Sequence, residues 1–320
     1  KTLLLMSKII GKGAYGCVYS PPLKCKDDEC PSSNPKCVNG VSKLSSRTTS
    51  INERNLTSSI DFIDLRQVYH IGNPTYCKPE DTFVNNCNVS GIINLQNEDL
   101  RLLIFNHGGE RFDNVIEKHR INIDKFINGF KNIFFAVKDM SEHGFVHSDI
   151  KGDNILIDDK YNFKLIDFGL SWTDIPKIQA KHNYWPPEYP LLGSEHDNEE
   201  YNVIIDFIDK DLKLLNHDEL EKLLEQKFSD DFINTLHKMS GEEIFKIIKS
   251  KVDLYSIGVM IAELYYTSIN STVLNFIMSP PMIKLVERMT DEDFFKRITP
   301  QEAYDRYSII SKKYIEYISL

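Results

Sequence analysis

The sequence predicts an α+β fold, with a strand-rich first third followed by a mainly helical remainder. Short apolar stretches bounded by Gly, Pro and polar residues predict strands in residues 3–20, 40–44, 67–72 and 100–105. Apolar side chains at 3-4 spacing predict a long helix over residues 122–143. The apolar positions of this helix, which we expect in the core, are Phe126, Phe130, Ile133, Phe134, Val137 and Met140. A chain of 320 residues can bury a substantial core, as one large domain or as two lobes.

Composition and charge disfavour several classes of function. The chain is 41% hydrophobic and 27% charged, which is ordinary for a globular protein. Its formal net charge of −9 disfavours binding of nucleic acid or of an anionic membrane through the whole surface. The sequence has no apolar run of the roughly 18 residues that a membrane-spanning helix needs. Residues 1–6 are too short for a signal peptide, so we expect a cytoplasmic location.

All six cysteines lie in the first third of the chain. In the reducing compartment expected without a signal peptide, free thiols are the default interpretation. Cys25, Cys30 and Cys37 are separated by four and then six residues, which is not a standard zinc pattern. Metal binding by these three is therefore the less favoured alternative.

A glycine-rich turn between the first two predicted strands is typical of a phosphate-binding loop, because glycines let backbone N–H groups approach phosphates closely. The segment reads G-x-G-x-x-G-x-V and comprises Gly11, Lys12, Gly13, Ala14, Tyr15, Gly16, Cys17 and Val18, preceded by Ile10. A dinucleotide-binding turn is the alternative, but it needs a helix directly after the third glycine. Pro21 and Pro22 disfavour that helix.

A polar loop at residues 147–154 and the D-F-G sequence that starts at Asp167 carry the candidate chemistry. Asp149 can accept a hydroxyl proton, and Lys151 can neutralise a transferring phosphoryl group. Asn154 and Asp167 can ligate Mg²⁺. A polar surface turn is the alternative, but the H-x-D-x-K-x-x-N spacing followed by D-F-G favours the catalytic interpretation.

Together these motifs resemble the protein kinase superfamily of the serine/threonine type, over nearly the whole chain. The cysteine-bearing insert after the glycine turn and the strand at residues 41–44 resemble the divergent kinases of giant DNA viruses, of the mimivirus kind. The resemblance implies a two-lobed protein kinase fold, with a small strand-rich lobe (residues 1–105), a hinge (106–109) and a large helical lobe (110–320). It also implies ATP and Mg²⁺ between the lobes, protein substrates, and a host-cytoplasmic or virion location.

The resemblance places the lysine that anchors the nucleotide phosphates at Lys43, within a predicted strand. Its competitors Lys24, Lys26 and Lys36 lie in the polar loop before that strand. Glu53, on a helix predicted over residues 50–63, is a candidate ion-pair partner of Lys43. Ser50 and Glu53 also form an S-x-x-E capping box, in which Glu53 caps its own helix, so both interpretations stay open.

Three later motifs resemble the closing features of the same family. The sequence Tyr184-Trp185-Pro186-Pro187-Glu188 resembles the A-P-E closure, and Arg297 resembles the arginine that pairs with its glutamate. Asp253 resembles the buried aspartate that accepts backbone N–H groups of the catalytic loop. The alternative for Asp253 and Arg297 is a helix terminus and a surface residue.

Two departures concern regulation and substrate geometry. Lys181 stands where serine/threonine kinases usually carry a threonine that braces the catalytic aspartate. Ser148 replaces the arginine that binds an activating phosphate in many kinases, which predicts activity without phosphorylation of Ser171, Thr173 or Tyr184.

The sequence of residues 191–250 predicts an insertion that is acidic at first and then helical. This insertion is either an addition that only packs on the large lobe or a docking platform for a regulatory partner. For the whole chain, two further classes stay open. A small-molecule kinase of the aminoglycoside or choline type shares the H-x-D-x-x-x-x-N loop, and a pseudokinase scaffold would bind without transfer.

Overall fold

The computed structural model describes residues 7–26, 29–80, 87–118, 120–174, 184–186, 188, 235, 238–267 and 269–319. The chain divides into two compact units. The first comprises Lys1–Gly109 with Lys164–Leu170, and the second comprises Glu110–Phe163 with Ser171–Leu320. The predicted α+β class is confirmed, since the sheet dominates the first unit and helices dominate the second.

The first unit contains an antiparallel five-stranded sheet in the order β1-β2-β3-β5-β4. Its strands are β1 (Lys8–Gly13), β2 (Gly16–Ser20), β3 (Val41–Ser46), β4 (Thr75–Cys77) and β5 (Leu100–Phe105), and its helices are α1 (Pro35–Asn39) and α2 (Arg47–Ile63). Strand β5 lies between β3 and β4, and its first five residues are buried. Leu44, Leu102 and Tyr19 belong to the core of this unit.

The prediction of a strand at residues 67–72 is wrong. This segment forms only an isolated β-bridge between His70 and Leu165. The carboxylate of Asp64 accepts the backbone N–H groups of Val68 and Tyr69, each at 2.7 Å, and of His70 at 3.1 Å. These donors are therefore used locally instead of in a strand ladder. The neighbour of β5 at the edge of the sheet is instead β4, where no strand was predicted.

The expectation of free thiols is also wrong. Disulfides join Cys17 to Cys87, Cys25 to Cys77 and Cys30 to Cys37. Their Cα–Cα distances of 6.0, 5.7 and 5.7 Å lie within the range that a disulfide spans. Because the first two bonds join residues 70 and 52 positions apart, the pairing depends on the folded sheet and not on local spacing.

The second unit is mainly helical. Its elements are β6 (Glu110–Arg111), α3 (Phe112–Ile116), α4 (Ile123–Glu142), β7 (Ile155–Ile157), β8 (Phe163–Leu165, whose last two residues belong to the first unit), α5 (Gly241–Leu264), α6 (Ser271–Ile277), α7 (Pro280–Met289) and α8 (Pro300–Ile318). Helix α4 confirms the helix predicted over residues 122–143, and all six of its predicted core positions are buried. Tyr307 of α8 stacks on Phe134 of α4, with ring centres 4.3 Å apart.

Most of the predicted insertion at residues 191–250 lies outside the described residues, which resume continuously at residue 238. Ser240 caps α5 through a capping box with Glu243. Within the ranges that the structure describes, no helix is long and apolar enough to cross a membrane.

Candidate active site

Asp149 lies in the loop between α4 and β7, and its carboxylate is held on both oxygens. Lys151 donates to Oδ1 at 2.8 Å, and the hydroxyl of Tyr184 donates to the same oxygen. The side-chain amide of Asn154 donates to Oδ2 at 2.7 Å and to the backbone carbonyl of Asp149 at 2.9 Å. A 3₁₀ turn at Gly152–Asn154 brings Asn154 back towards Asp149. The three residues predicted from the loop sequence therefore form one cluster.

Asp253 of α5 fixes the backbone just before Asp149. Its carboxylate accepts the N–H groups of His147 at 2.7 Å and of Ser148 at 2.8 Å, which confirms the role predicted for it. Burial raises the pKa of Asp253, while His147 and these backbone donors oppose that shift. Ser148 has a φ of 65°, an uncommon conformation for a residue other than glycine. The hydrogen bonds that the Asp253 carboxylate accepts help to hold the loop in this conformation.

Both tryptophans of the chain donate hydrogen bonds to Ser148. The indole N–H of Trp172 donates to the Ser148 hydroxyl at 2.5 Å, and that of Trp185 donates to the Ser148 carbonyl at 2.6 Å. Trp172 follows the D-F-G sequence closely, and Trp185 belongs to the closing motif. Two parts of the segment after D-F-G are thereby attached to the residue that precedes Asp149.

Glu188 and Arg297 form the ion pair predicted from the sequence. The guanidinium donates to the two carboxylate oxygens at 2.5 and 3.1 Å, and both side chains are fully buried. A bidentate pair is directional, but burying it carries a desolvation penalty. The Arg297 guanidinium also donates to the carbonyl of Asp291 at 2.8 and 2.9 Å.

Lys43 of β3 lies between two carboxylates of the first unit. Its ammonium is 2.8 Å from Oε2 of Glu53 and 2.7 Å from Oδ1 of Asp167. Burial lowers the pKa of Lys43, but the charges of Asp167 and Glu53 outweigh that effect and hold the pKa above its ordinary value. Lys43 therefore stays protonated, and its ammonium, which donates a hydrogen bond to Asp167 and forms an ion pair with Glu53, has three N–H donors in all.

The helix that carries Glu53 begins earlier than predicted. Helix α2 starts at Arg47, and the Ser46 side chain caps it by accepting the N–H of Thr49 at 3.1 Å. Ser50 therefore lies inside the helix, and its hydroxyl bonds that of Ser45 at 2.7 Å. The capping-box alternative no longer applies, and the Glu53 carboxylate contacts Lys43.

The predicted phosphate-binding turn joins β1 and β2. Gly16 is required by close packing, because a Cβ there would collide with the carbonyl of Leu44. A Cβ at Gly13 would meet nothing within 4 Å, so the backbone of the turn is open on that side. Ile10 and Tyr15 are about half exposed, whereas Cys17 is buried and forms a disulfide with Cys87. The N–H of Gly91 donates to the carbonyl of Ala14 at 2.9 Å.

The predicted site residues are therefore distributed over both units. The glycine turn, Lys43, Glu53 and Asp167 belong to the first unit, and the group around Asp149 belongs to the second. Among the described residues, no group of three or more His, Cys, Asp or Glu side chains is arranged to hold a metal ion. A metal shared by Asn154 and Asp167 stays a prediction.

The comparison with protein families decides the family of this chain. Residues 5–200, more than half of the chain, match the family model described as a protein kinase domain. The chain belongs to the protein kinase family.

Individual relatives match this chain over a short segment. Maternal embryonic leucine zipper kinase of Xenopus tropicalis is 39% identical over 84 residues, which are 26% of this chain and 13% of the relative. SNF1-like protein kinase ssp2 of Schizosaccharomyces pombe is 41% identical over 73 residues, which are 23% of this chain and 13% of the relative. Serine/threonine protein kinase OSK3 of Oryza sativa subsp. indica is 44% identical over 63 residues, which are 20% of this chain and 12% of the relative. The matched segments thus span only a small part of these relatives.

The contacts of Tyr184, Trp172 and Trp185 with the catalytic loop were not predicted from the sequence. Tyr184 was predicted as a hydroxyl of the segment after D-F-G and as the first residue of the closing motif, without a contact to Asp149. A signal for the tryptophans was present, since the chain has only two and both lie between the D-F-G sequence and Glu188. The contacts themselves join Trp172, Tyr184 and Trp185 to residues 24 to 37 positions earlier, which the motif pattern does not specify.

Proposed function

We propose that this protein is a serine/threonine protein kinase, which transfers the γ-phosphoryl group of ATP to a protein hydroxyl. The observation that carries the proposal is the group around Asp149, whose carboxylate is held by Lys151 and Asn154. A carboxylate fixed in this way is suited to accept the proton of an attacking hydroxyl. The family match and the serine/threonine kinases among the relatives support the same function.

Each residue has a physical role in the proposed reaction. Asp149 orients the substrate hydroxyl and accepts its proton. Lys151 is close to Asp149 and carries a positive charge, so it can stabilise the charge that develops on the transferring phosphoryl group. Lys43 would use a further N–H donor to hold a nucleotide phosphate, while Glu53 and Asp167 fix its position. Catalysis would come mainly from positioning and from charge neutralisation.

The donors and acceptors present fit ATP and Mg²⁺. The amide nitrogen of Asn154 is engaged by Asp149, which leaves its oxygen as the metal-ligating atom. The Asp167 side chain is 40% exposed, so its carboxylate is accessible to an ion. Oxygen ligands of this kind suit Mg²⁺. When bound, Mg²⁺ would neutralise phosphate charge.

A small-molecule kinase is not favoured, because the relatives in the comparison are protein kinases and the closing motif is built into the second unit through Glu188 and Arg297. Resemblance to the kinases of giant DNA viruses, and a host-cytoplasmic or virion location, are proposals that rest on sequence resemblance alone. A regulatory partner at residues 191–250 is likewise a proposal, and deletion of that segment would test it.

Phosphoryl transfer from labelled ATP would test the proposed function. The purified chain should label a basic protein on serine or threonine, and it should not phosphorylate choline or an aminoglycoside. Labelling of the small molecules alone would favour the alternative class. ATP binding without any transfer would favour a pseudokinase.

A further inference from the structure

We propose that Tyr184 is a positioning residue whose hydroxyl holds the Asp149 carboxylate in place for proton transfer. The inference rests on the proposed kinase activity, because it concerns the same reaction. The Tyr184 hydroxyl donates to Oδ1 of Asp149, and Lys151 donates to the same oxygen at 2.8 Å. The Lys151 ammonium also lies 5.4 Å from the centre of the Tyr184 ring. These three side chains therefore support one another.

The two oxygens of Asp149 are held unequally. Oδ1 accepts from Tyr184 and Lys151, while Oδ2 accepts from Asn154 at 2.7 Å. Among the residues that the structure describes, these bonds use three of the roughly four acceptor positions of a carboxylate. The fourth position, on Oδ2, suits the hydroxyl of a substrate. Tyr184 and Lys151 thus direct the reaction to one oxygen by occupying the other.

Tyr184 is itself fixed by the fold. Its carbonyl accepts the hydroxyl of Ser256 at 2.9 Å. The next residue, Trp185, donates to the Ser148 carbonyl at 2.6 Å, and its ring meets that of Tyr184 edge-on at 6.3 Å. Because the backbone is anchored on both the helix side and the loop side, the phenol has a restricted range of positions. A restricted donor can orient a carboxylate.

The position of Tyr184 in the sequence explains why a donor is needed there. The threonine that braces the catalytic aspartate in serine/threonine kinases is replaced by Lys181 in this chain, and Lys181 lies outside the described residues. Tyr184 follows three residues later and supplies a hydroxyl to the same kind of carboxylate. We infer that Tyr184 compensates for the missing threonine.

The test is the Tyr184→Phe substitution, which keeps the ring and removes the hydroxyl. We expect kcat to fall about ten- to hundredfold, the size of one hydrogen bond to a charged group, with KM for ATP and the melting temperature unchanged. Tyr266→Phe is the matched control, since Tyr266 is 91% exposed, and it should leave kcat unchanged. An unchanged or raised kcat in Tyr184→Phe would overturn the proposal.

A second measurement separates positioning from a general structural effect. In an Asp149→Asn background, Tyr184→Phe should cause no further loss, because Tyr184 acts through the carboxylate. The same fold-loss in both backgrounds would show that Tyr184 acts elsewhere and would overturn the inference. If the wild-type chain transfers phosphate but Tyr184→Phe is silent, only this inference fails. Wild-type protein without transfer would overturn the proposed function and this inference together.

Discussion

At the scale of single residues, Lys43 differs from the other lysines of the first unit in its surroundings. Its ammonium is buried between Glu53 and Asp167. Lys36, a competitor from sequence analysis, instead donates to the backbone carbonyl of Asn73 at 2.6 Å. The ion-pair geometry favours Lys43 as the residue that holds the nucleotide phosphates, and this role can be tested directly.

Lys43→Met should lower kcat by roughly a hundredfold, because it removes a fixed positive charge near the reacting phosphate. Lys36→Met is the matched control and should retain activity, since its contact is to the backbone of a loop. Steady-state kinetics would measure kcat of both variants, and circular dichroism would verify that both are folded. If Lys36→Met were inactive and Lys43→Met active, the assignment would be wrong.

At the scale of elements, the glycine turn is held by the segment at residues 87–91. Cys87 forms a disulfide with Cys17 of β2, and the N–H of Gly91 donates to the carbonyl of Ala14 at 2.9 Å. A Cβ at Gly91 would lie 2.8 Å from that carbonyl oxygen, so glycine permits the close approach. The turn that we expect to bind phosphate is therefore braced from outside the β1–β2 hairpin.

Cys87→Ser should weaken both the fold and ATP binding, because it releases this brace. Cys37→Ser is the matched control, since its disulfide joins residues only 7 positions apart, whereas Cys17 and Cys87 are 70 apart. Chain entropy predicts a loss of unfolding free energy of about 4 kcal/mol for the first variant and about 2 kcal/mol for the second. Urea unfolding and nucleotide titration would measure both effects. Equal losses, or unchanged ATP affinity in Cys87→Ser, would contradict the bracing role.

The elements also show what sequence reasoning can and cannot predict. Helix α4 and the roles of Asp253 and Arg297 were predicted, because periodicity and motif order are local or sequential signals. The disulfide pairs, strand β4 and the capture of N–H groups by Asp64 were not predicted. The two long-range disulfides and strand β4 depend on which distant residues meet in the folded chain, and a single sequence does not give that information. The capture of N–H groups by Asp64 is local, but it competes with the strand that the apolar pattern favours.

At the scale of the whole molecule, the contacts of Ser148 bear on regulation. A serine cannot bind an activating phosphate as an arginine does, and here it accepts hydrogen bonds from Trp172 and Trp185. These bonds attach the segment after D-F-G to the catalytic loop without a phosphate. Two described residues on either side of positions 175–183 thus contact the loop through side chains of the sequence itself.

This arrangement predicts activity without phosphorylation of the segment after D-F-G. Ser171 is buried and donates to the His147 carbonyl at 3.2 Å, and Tyr184 is bonded to Asp149, so mutation of either would disturb the site itself. Thr173 is exposed, which makes it the informative position. Phosphatase-treated Thr173→Ala should keep wild-type kcat. A loss that Thr173→Glu restores would identify Thr173 phosphorylation as the switch.

The proposed reaction requires Asp149 to act as the base of the phosphoryl transfer. The most direct measurement compares the transfer rate and nucleotide affinity of Asp149→Asn with those of Asp159→Asn, an exposed aspartate on the turn after β7. We predict that Asp149→Asn leaves only a small residual rate of labelling of a basic protein while its affinity for a fluorescent ATP analogue stays close to that of the wild type, and that Asp159→Asn changes neither. Near wild-type turnover in Asp149→Asn would contradict the account.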